Sequence, residues 1–195
     1  MRCLYCYNPD IVLGKGKIDF QTVLNFLKTR IGLLDGVVLS GGECTLHKKI
    51  IDFIKEIKAM GFEVKIDTNG SNPKILNSLI HDRLIDYVAL DYKSLPHTFK
   101  KLTQSGLFFE FEESLKLLIQ SNIPFEVRTT FHSDLISESD FTKMVEYLEN
   151  QNFEGNYYVQ HFMNNVSTLS KLDNSNKSIS LKNFSTSKIK VIFRE

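Results

Sequence analysis

The sequence has no tryptophan, three cysteines and four prolines, and no block of like charge. An odd cysteine count rules out a framework in which every thiol is bridged, and C-x-x-C in such a chain reads as a metal or redox pair. A reducing, cytoplasmic setting is therefore expected. No apolar run approaches the roughly 18 residues of a membrane span. The N-terminus is polar and meets a cysteine at position 3, unlike a secretory signal. The formal net charge is +1, so no global attraction to nucleic acid or to a membrane surface is implied. What remains is a chain of 195 residues, 42% hydrophobic and 24% charged, long enough to bury one full core.

Short apolar strands alternate with amphipathic helices. Asp19 to Ile31 places Phe20, Val23, Leu24, Phe26 and Leu27 at helical spacing, with Gly32 as a stop. Gly36 to Ser40 is an apolar strand running into Gly41-Gly42-Glu43. A helix over 47–60, a strand over 62–66, a helix over 73–82 opened by Pro73, and a strand over 87–90 follow. A helix over 110–121, a strand over 125–130, a helix over 137–150 capped by Ser137, and a strand over 157–162 complete five strand-plus-helix steps. Such apolar strands belong to a parallel sheet covered by helices. Residues 1–163 are read as this unit. Residues 164–195 form a loosely ordered Ser/Asn/Lys-rich connector that ends in an edge strand over 189–193.

Polar residues gather where the strands end: Ser40-Gly41-Gly42-Glu43, Asp67-Thr68-Asn69, Asp91 with Lys93, Arg128 with Thr130, and Gln160-His161. In parallel βα folds all strand C-termini face one way, so these groups converge on one rim. A single carboxylate or lysine there is an ordinary cap; five successive strand ends are not. The set suits a polar, zwitterionic small molecule. Glu43 and Asp91 can accept from an ammonium or from ribose hydroxyls, Lys93 and Arg128 can hold a carboxylate, and Gly41-Gly42 admits close backbone approach.

Cys3 and Cys6 are spaced for one metal or cluster, but zinc or a [4Fe–4S] cube needs further ligands. A redox dithiol or half of a zinc knuckle stays open at this point. Asn8-Pro9 after the pair points to a loop rather than to the helix that a thioredoxin-like dithiol would open.

Taken in order, C-L-Y-C-Y-N-P, S-G-G-E, D-T-N-G and A-L-D-Y-K resemble the radical S-adenosylmethionine superfamily. Within it the chain is most similar to glycyl-radical-enzyme activases, above all the activating proteins of anaerobic ribonucleoside-triphosphate reductases. The likeness runs from Arg2 to Phe162 and is densest from Leu33 to Ser71. It implies an α/β fold: an open, partial (β/α)6 barrel whose first strand is missing here. The family motif is C-x3-C-x2-C, so Cys3 and Cys6 correspond to the second and third cluster ligands. The first would lie two residues before Met1, which places Met1 inside the motif and suggests a misplaced start. Cys44 stands where the family has proline and reads as a small, semi-buried residue.

The resemblance implies a [4Fe–4S] cluster and S-adenosylmethionine as cofactors, with Cys3 and Cys6 on the metal. Tyr5 would pack near the adenine, and Cys6 and Tyr7 would lend backbone contacts. Gly41, Gly42 and Glu43 would meet the methionine amino end, and Asp91 and Lys93 the methionine or ribose portion. Thr68, Asn69, Arg128 and His161 complete the expected set. The implied reaction is reductive cleavage of S-adenosylmethionine and removal of hydrogen from a glycine Cα on the reductase. A reduced flavodoxin or ferredoxin would supply the electron. Alternatives are a pyruvate formate-lyase activase or other radical S-adenosylmethionine enzyme, a catalytically dead binding domain, and a simple zinc or dithiol protein.

Overall fold

The computed structural model describes residues 1–14, 16, 18–176 and 178–194. Lys177, within the stretch read as a connector, lies outside them. The elements run Pro9–Leu13 (α1), Phe20–Lys28 (α2), Gly36–Leu39 (β1), Ile50–Ala59 (α3), Glu63–Thr68 (β2), Pro73–His81 (α4) and Tyr87–Asp91 (β3). They continue with Pro96–Thr103 (α5), Phe108–Gln120 (α6), Phe125–Phe131 (β4), Glu138–Asn150 (α7), Gly155–His161 (β5) and Ile189–Arg194 (β6). Single 3-10 turns cover Cys44–Leu46 and Ser178–Leu181.

Local chemistry sets the helix starts. Asp19 accepts from Thr22 N at 2.9 Å to cap α2, and Ser137 accepts from Asp140 N at 3.0 Å to cap α7. Pro73 stands in the first turn of α4 behind the Asn72 cap. Two helices are additional to those expected from sequence. The first, α5, begins at Pro96, and its buried Phe99 and Leu102 are too few to show a period. The second, α1, turns the Asn8-Pro9 stretch, expected to be a loop, into one helical turn with Pro9 in its first turn.

All six strands pair in parallel, in chain order β1-β2-β3-β4-β5-β6. Right-handed crossovers between successive neighbours put every connecting helix on the same side of such a sheet. The core lies between that face and the helices: Val64, Ile66, Val88, Leu90, Val127 and Val159 meet Leu79, Phe111, Leu115 and Phe141. The opposite face carries the charged residues Lys65, Asp67, Asp91, Glu126 and Arg128, with the apolar Val38 and Ala89 among them. The open, all-parallel α/β sheet is the one expected from sequence. Val64 and Ile66 are buried whereas Lys65 and Asp67 between them are only partly so, a period-2 alternation that the E-V-K-I-D-T sequence already contains. The strand β6 is the sixth member of this sheet, at its edge, as expected from its sequence.

The connector before β6 also differs from its expectation. Residues 164–175 are a closed, hydrogen-bonded loop rather than a loose tether.

Gly70, which ends the D-T-N-G stretch, shows how tightly the strand ends are packed. Its φ is +72°, and a Cβ there would lie 3.0 Å from Leu90 Cδ1 and 3.2 Å from Phe111 Cα. Gly70→Ala is expected to cost about 2–4 kcal/mol, from left-handed strain plus overpacking. Gly42→Ala, whose added Cβ meets nothing within 4 Å, should change stability by less than about 1 kcal/mol. Urea unfolding midpoints of the two variants check the contrast.

Candidate active site

At the C-terminal ends of the strands lies a cavity of about 310 Å³. Its wall takes Cys3, Tyr5, Cys6 and Tyr7 from the N-terminal loop, Gly41 and Gly42 from beyond β1, and Asn69 from beyond β2. Asp91 comes from the end of β3 and Lys93 from just beyond it, Arg128 and Thr130 from β4, and Gln160 from β5. Most of the residues expected from sequence are therefore brought together.

The cysteine loop is pinned from below. Arg2 N donates to Thr103 O at 2.9 Å and Leu4 N to Leu102 O at 3.0 Å, both at the end of α5. Cys6 N donates to Cys3 O at 3.0 Å, a turn that carries both residues to the cavity wall. Cys3 is buried and Cys6 half-buried, and neither is in a disulfide. Burial pushes the Cys3 thiol up, and nearby Lys93 works against that. Among the described residues no group of three or more His, Cys, Asp or Glu is placed to hold a metal ion. The loop thus brings two free thiols to the cavity wall. Cys44 is not a third: its Sγ lies 3.6 Å from Asp67 O, and burial followed by the charge of Glu43 lifts its pKa to about 12.

Opposite the thiols stands a line of shared charges. Arg128 Nε donates to Asp91 Oδ1, and Arg128 Nη2 lies 3.2 Å from Asp67 Oδ2. Lys93 Nζ donates to Asp91 Oδ2 at 3.0 Å. In D-Y-K the two ionic groups point to the bare face while Tyr92, between them, is fully buried and stacks on Phe111 at 5.0 Å. Burial works to raise the Asp91 pKa, yet Lys93 and Arg128 hold it below the ordinary carboxylate value. Burial likewise tends to discharge Lys93 and Arg128, and Asp91 outweighs it, keeping both cationic. Lys93 and Arg128 line the cavity as cations, each with N–H donors that a carboxylate can accept from. Lys93 Nζ also sits 5.7 Å from the Tyr5 ring centroid. The Tyr5 hydroxyl is buried and has no hydrogen-bond partner among the described residues.

Three of the residues expected at the site lie outside the cavity wall. Glu43 is turned away from the cavity: Oε1 accepts from Thr45 N at 3.2 Å, Thr45 Oγ1 at 2.6 Å and Thr68 Oγ1 at 2.8 Å. Its Oε2 accepts from Asn69 N at 2.7 Å, so the carboxylate ties the ends of β1 and β2 together instead of meeting an ammonium. Thr68 is buried in the same network, donating to Glu43 and accepting from Gly70 N at 3.1 Å. His161 falls on the helix-covered face of β5 with Tyr157 and Val159, stacking on Phe193 at 5.7 Å, while Gln160 takes the cavity side. The alternation of Y-Y-V-Q-H decides between the two. Ile11, Val12 and Met163 also line the cavity, and no sequence signal points to them.

A parallel sheet with one bare, charged face and a polar cavity at its strand ends defines an α/β ligand-binding enzyme of the open-barrel kind. Residues 1–148 match the sequence profile described as the Radical SAM superfamily, and the chain belongs to that superfamily. A provisionally named glycyl-radical enzyme activating enzyme of Methanocaldococcus jannaschii is 32% identical over 172 residues, covering 83% of this chain and 68% of that protein. A protein of Thermococcus kodakarensis named as a probable GTP 3′,8-cyclase is 25% identical over 150 residues, 75% of this chain and 48% of its own length. Among solved structures, Streptococcus suis SuiB covers the whole chain at TM-score 0.72 and 13% identity, the match taking 46% of SuiB. A domain of pyruvate-formate lyase-activating enzyme from Bacteroides vulgatus matches 80% of this chain and 98% of its own at TM-score 0.62 and 14% identity. These two structures establish the fold alone. The superfamily's cofactors are a [4Fe–4S] cluster and S-adenosylmethionine.

The residues present fit S-adenosylmethionine: cations for its carboxylate, and a partnerless buried tyrosine hydroxyl beside the cavity. They supply two thiolates toward the cluster.

Asp91 should carry a pH-dependent share of stability. Its folded pKa is depressed, so its contribution is complete above the unfolded value of about 3.9 and is lost as pH falls through the folded value. Asp91→Asn is expected to cost about 3 kcal/mol near neutrality, because it leaves the partly buried Lys93 without its carboxylate partner and Arg128 with Asp67 alone. The gap from the parent chain should narrow below about pH 4, which urea titrations from neutral to acid pH would measure. For Glu43→Gln, an amide cannot accept on both arms, and a loss of about 1–3 kcal/mol is expected in the same assay.

Proposed function

We propose that the chain is the radical S-adenosylmethionine domain of a glycyl-radical-enzyme activase acting on an anaerobic ribonucleoside-triphosphate reductase. A reduced flavodoxin or ferredoxin in the cytoplasm would be the electron donor. The observation that carries the reading is the arrangement of the Cys3–Cys6 loop opposite the Lys93–Asp91–Arg128 cluster, with Tyr5 between. The identity to the M. jannaschii protein, and the named motifs from Leu33 to Ser71, favour the activase class over a small-molecule enzyme.

When bound, the cluster and S-adenosylmethionine supply one-electron reduction and removal of a hydrogen atom from the target. The chain's own residues bind and orient. Cys3 and Cys6 would be thiolate ligands. Lys93 and Arg128 would hold the methionine carboxylate, and Gly41 and Gly42 would let it lie against backbone. Tyr5 would face the adenosyl group with its free hydroxyl. No side chain acts as a general acid or base. The bare face of the sheet leaves an approach by which a peptide from a large partner can reach the centre.

The test uses the full-length protein, reconstituted without air and mixed with the candidate reductase, S-adenosylmethionine and a reductant. A glycyl-radical doublet in the electron paramagnetic resonance spectrum of the reductase is expected, and Cys6→Ser should abolish it. A cluster that forms with no doublet on this reductase would move the assignment to another target. Binding separates the wall residues: Lys93→Ala should weaken S-adenosylmethionine by about 10–100-fold, whereas His161→Ala should change it by less than about 3-fold. Calorimetry on the reconstituted protein measures both.

A further inference from the structure

The Ser/Asn-rich stretch outside the family-matched residues 1–148 is built as a device. Asn and Ser side chains hydrogen-bond nearby backbone readily, and here they close a loop. Asn164 Nδ2 donates to Ser175 O at 2.9 Å and its Oδ1 accepts from Ser175 N at 2.8 Å. One step inward, Asn174 Oδ1 accepts from Asn165 N at 3.4 Å and Asn174 Nδ2 donates to Asn165 Oδ1 at 3.3 Å. Twelve residues with joined ends make a compact Ω-type loop.

Its base is fixed to the turn after β4. Asp134 N donates to His132 Nδ1 at 3.2 Å, which puts the ring proton on Nε2 and lets that atom donate to Asp173 O at 2.9 Å. Ser133 N donates to Ser175 Oγ at 3.0 Å. The tip of the loop reaches the cysteines. Leu169 N donates to Cys6 O and Ser170 N to Leu4 O, each at 3.1 Å. Just before the loop, Met163 N donates to the Tyr7 hydroxyl at 2.8 Å.

We propose that residues 164–175 are a clamp that positions the Cys3–Cys6 loop over the cavity, with Asn164 as the positioning residue that holds the clamp shut. The loop carrying Cys3 and Cys6 is then gripped on two sides, by the end of α5 and by this clamp. Neither Asn164 nor Ser175 touches the cavity; they act through the backbone of Leu169 and Ser170. The proposal rests on the cluster-binding reading of Cys3 and Cys6 for its purpose, but its geometry can be tested without a cluster.

The test is the alkylation rate of Cys6, the half-buried thiol, in the full-length cluster-free protein treated with iodoacetamide and followed by peptide mass spectrometry. Asn164→Ala removes the two bonds to Ser175, the shorter of the closing pairs, and should speed Cys6 modification by about 10-fold, the equivalent of about 1.4 kcal/mol. Leu169→Pro, which deletes the N–H that reaches Cys6 O, should do the same and serves if the first variant folds poorly. Asp19→Ala, which loses the remote cap of α2, should lower the melting temperature while leaving the Cys6 rate unchanged. Equal Cys6 rates in the parent chain and both loop variants would overturn the clamp, as would a rise in Asp19→Ala of the same size. In the reconstituted protein, iron should leave to a chelator faster in the loop variants. A parent chain that takes up no iron would sink the cluster reading, whatever the alkylation rates show.

Discussion

With strands in chain order and every crossover of one hand, helices can cover only one face of the sheet. The rest of the molecule follows from that constraint. One face becomes the apolar core, where Phe111, Leu79 and Phe141 meet the inward residues of β2 to β5. The other gathers the charged residues Lys65, Asp67, Asp91, Glu126 and Arg128, alongside Val38 and Ala89. Long side chains from several strands therefore meet across the bare face, and the acids and bases among them pair. Glu126 illustrates this away from the cavity. Its Oε1 is 3.7 Å from Lys65 Nζ and its Oε2 is 3.4 Å from Arg194 Nη2, linking β2, β4 and β6 through one buried carboxylate.

At the C-terminal rim the same pairing becomes the candidate site. Asp91 serves Lys93 and Arg128 together, and Asp67 takes the remaining reach of the guanidinium. Cations held this way stay charged despite burial and are pre-set for an anionic group, so little reorganisation is needed when a ligand arrives. Glu43 does comparable work one layer out, where its carboxylate joins two strand ends whose backbone would otherwise be free to splay. Both acids in the S-G-G-E and A-L-D-Y-K stretches are thus engaged within the protein. That changes how such motifs are read: an acid at a strand end can shape a site without touching what binds there.

Much of this was legible in the residues. Helical periods bounded by Asp19, Pro73 and Ser137 placed three helices, and apolar runs ending in Gly-Gly-Glu, Asp-Thr-Asn-Gly and Asp-Tyr-Lys placed three strands and their rim. Of the residues named for the site, Cys3, Tyr5, Cys6, Tyr7, Gly41, Gly42, Asn69, Asp91, Lys93 and Arg128 line the cavity. Glu43, Thr68 and His161 do not line it, and Gln160 does. A strand end fixes the height of a residue above the sheet, whereas the face it takes follows from pairing, which a single step in register inverts.

The sequence by itself determined the order of elements, the parallel α/β class and the gathering of polar residues at one end, because periodicity and strand polarity are local properties of the chain. Tertiary structure alone decided where Glu43 and Thr68 point, that Arg128 bridges two aspartates, and that the Ser/Asn-rich stretch closes on itself and grips the cysteine loop. Each of those depends on hydrogen-bond partners distant in sequence: Glu43 with Asn69, Arg128 with Asp67, Leu169 with Cys6. Composition shows that such groups need partners; only the folded chain shows which ones they find.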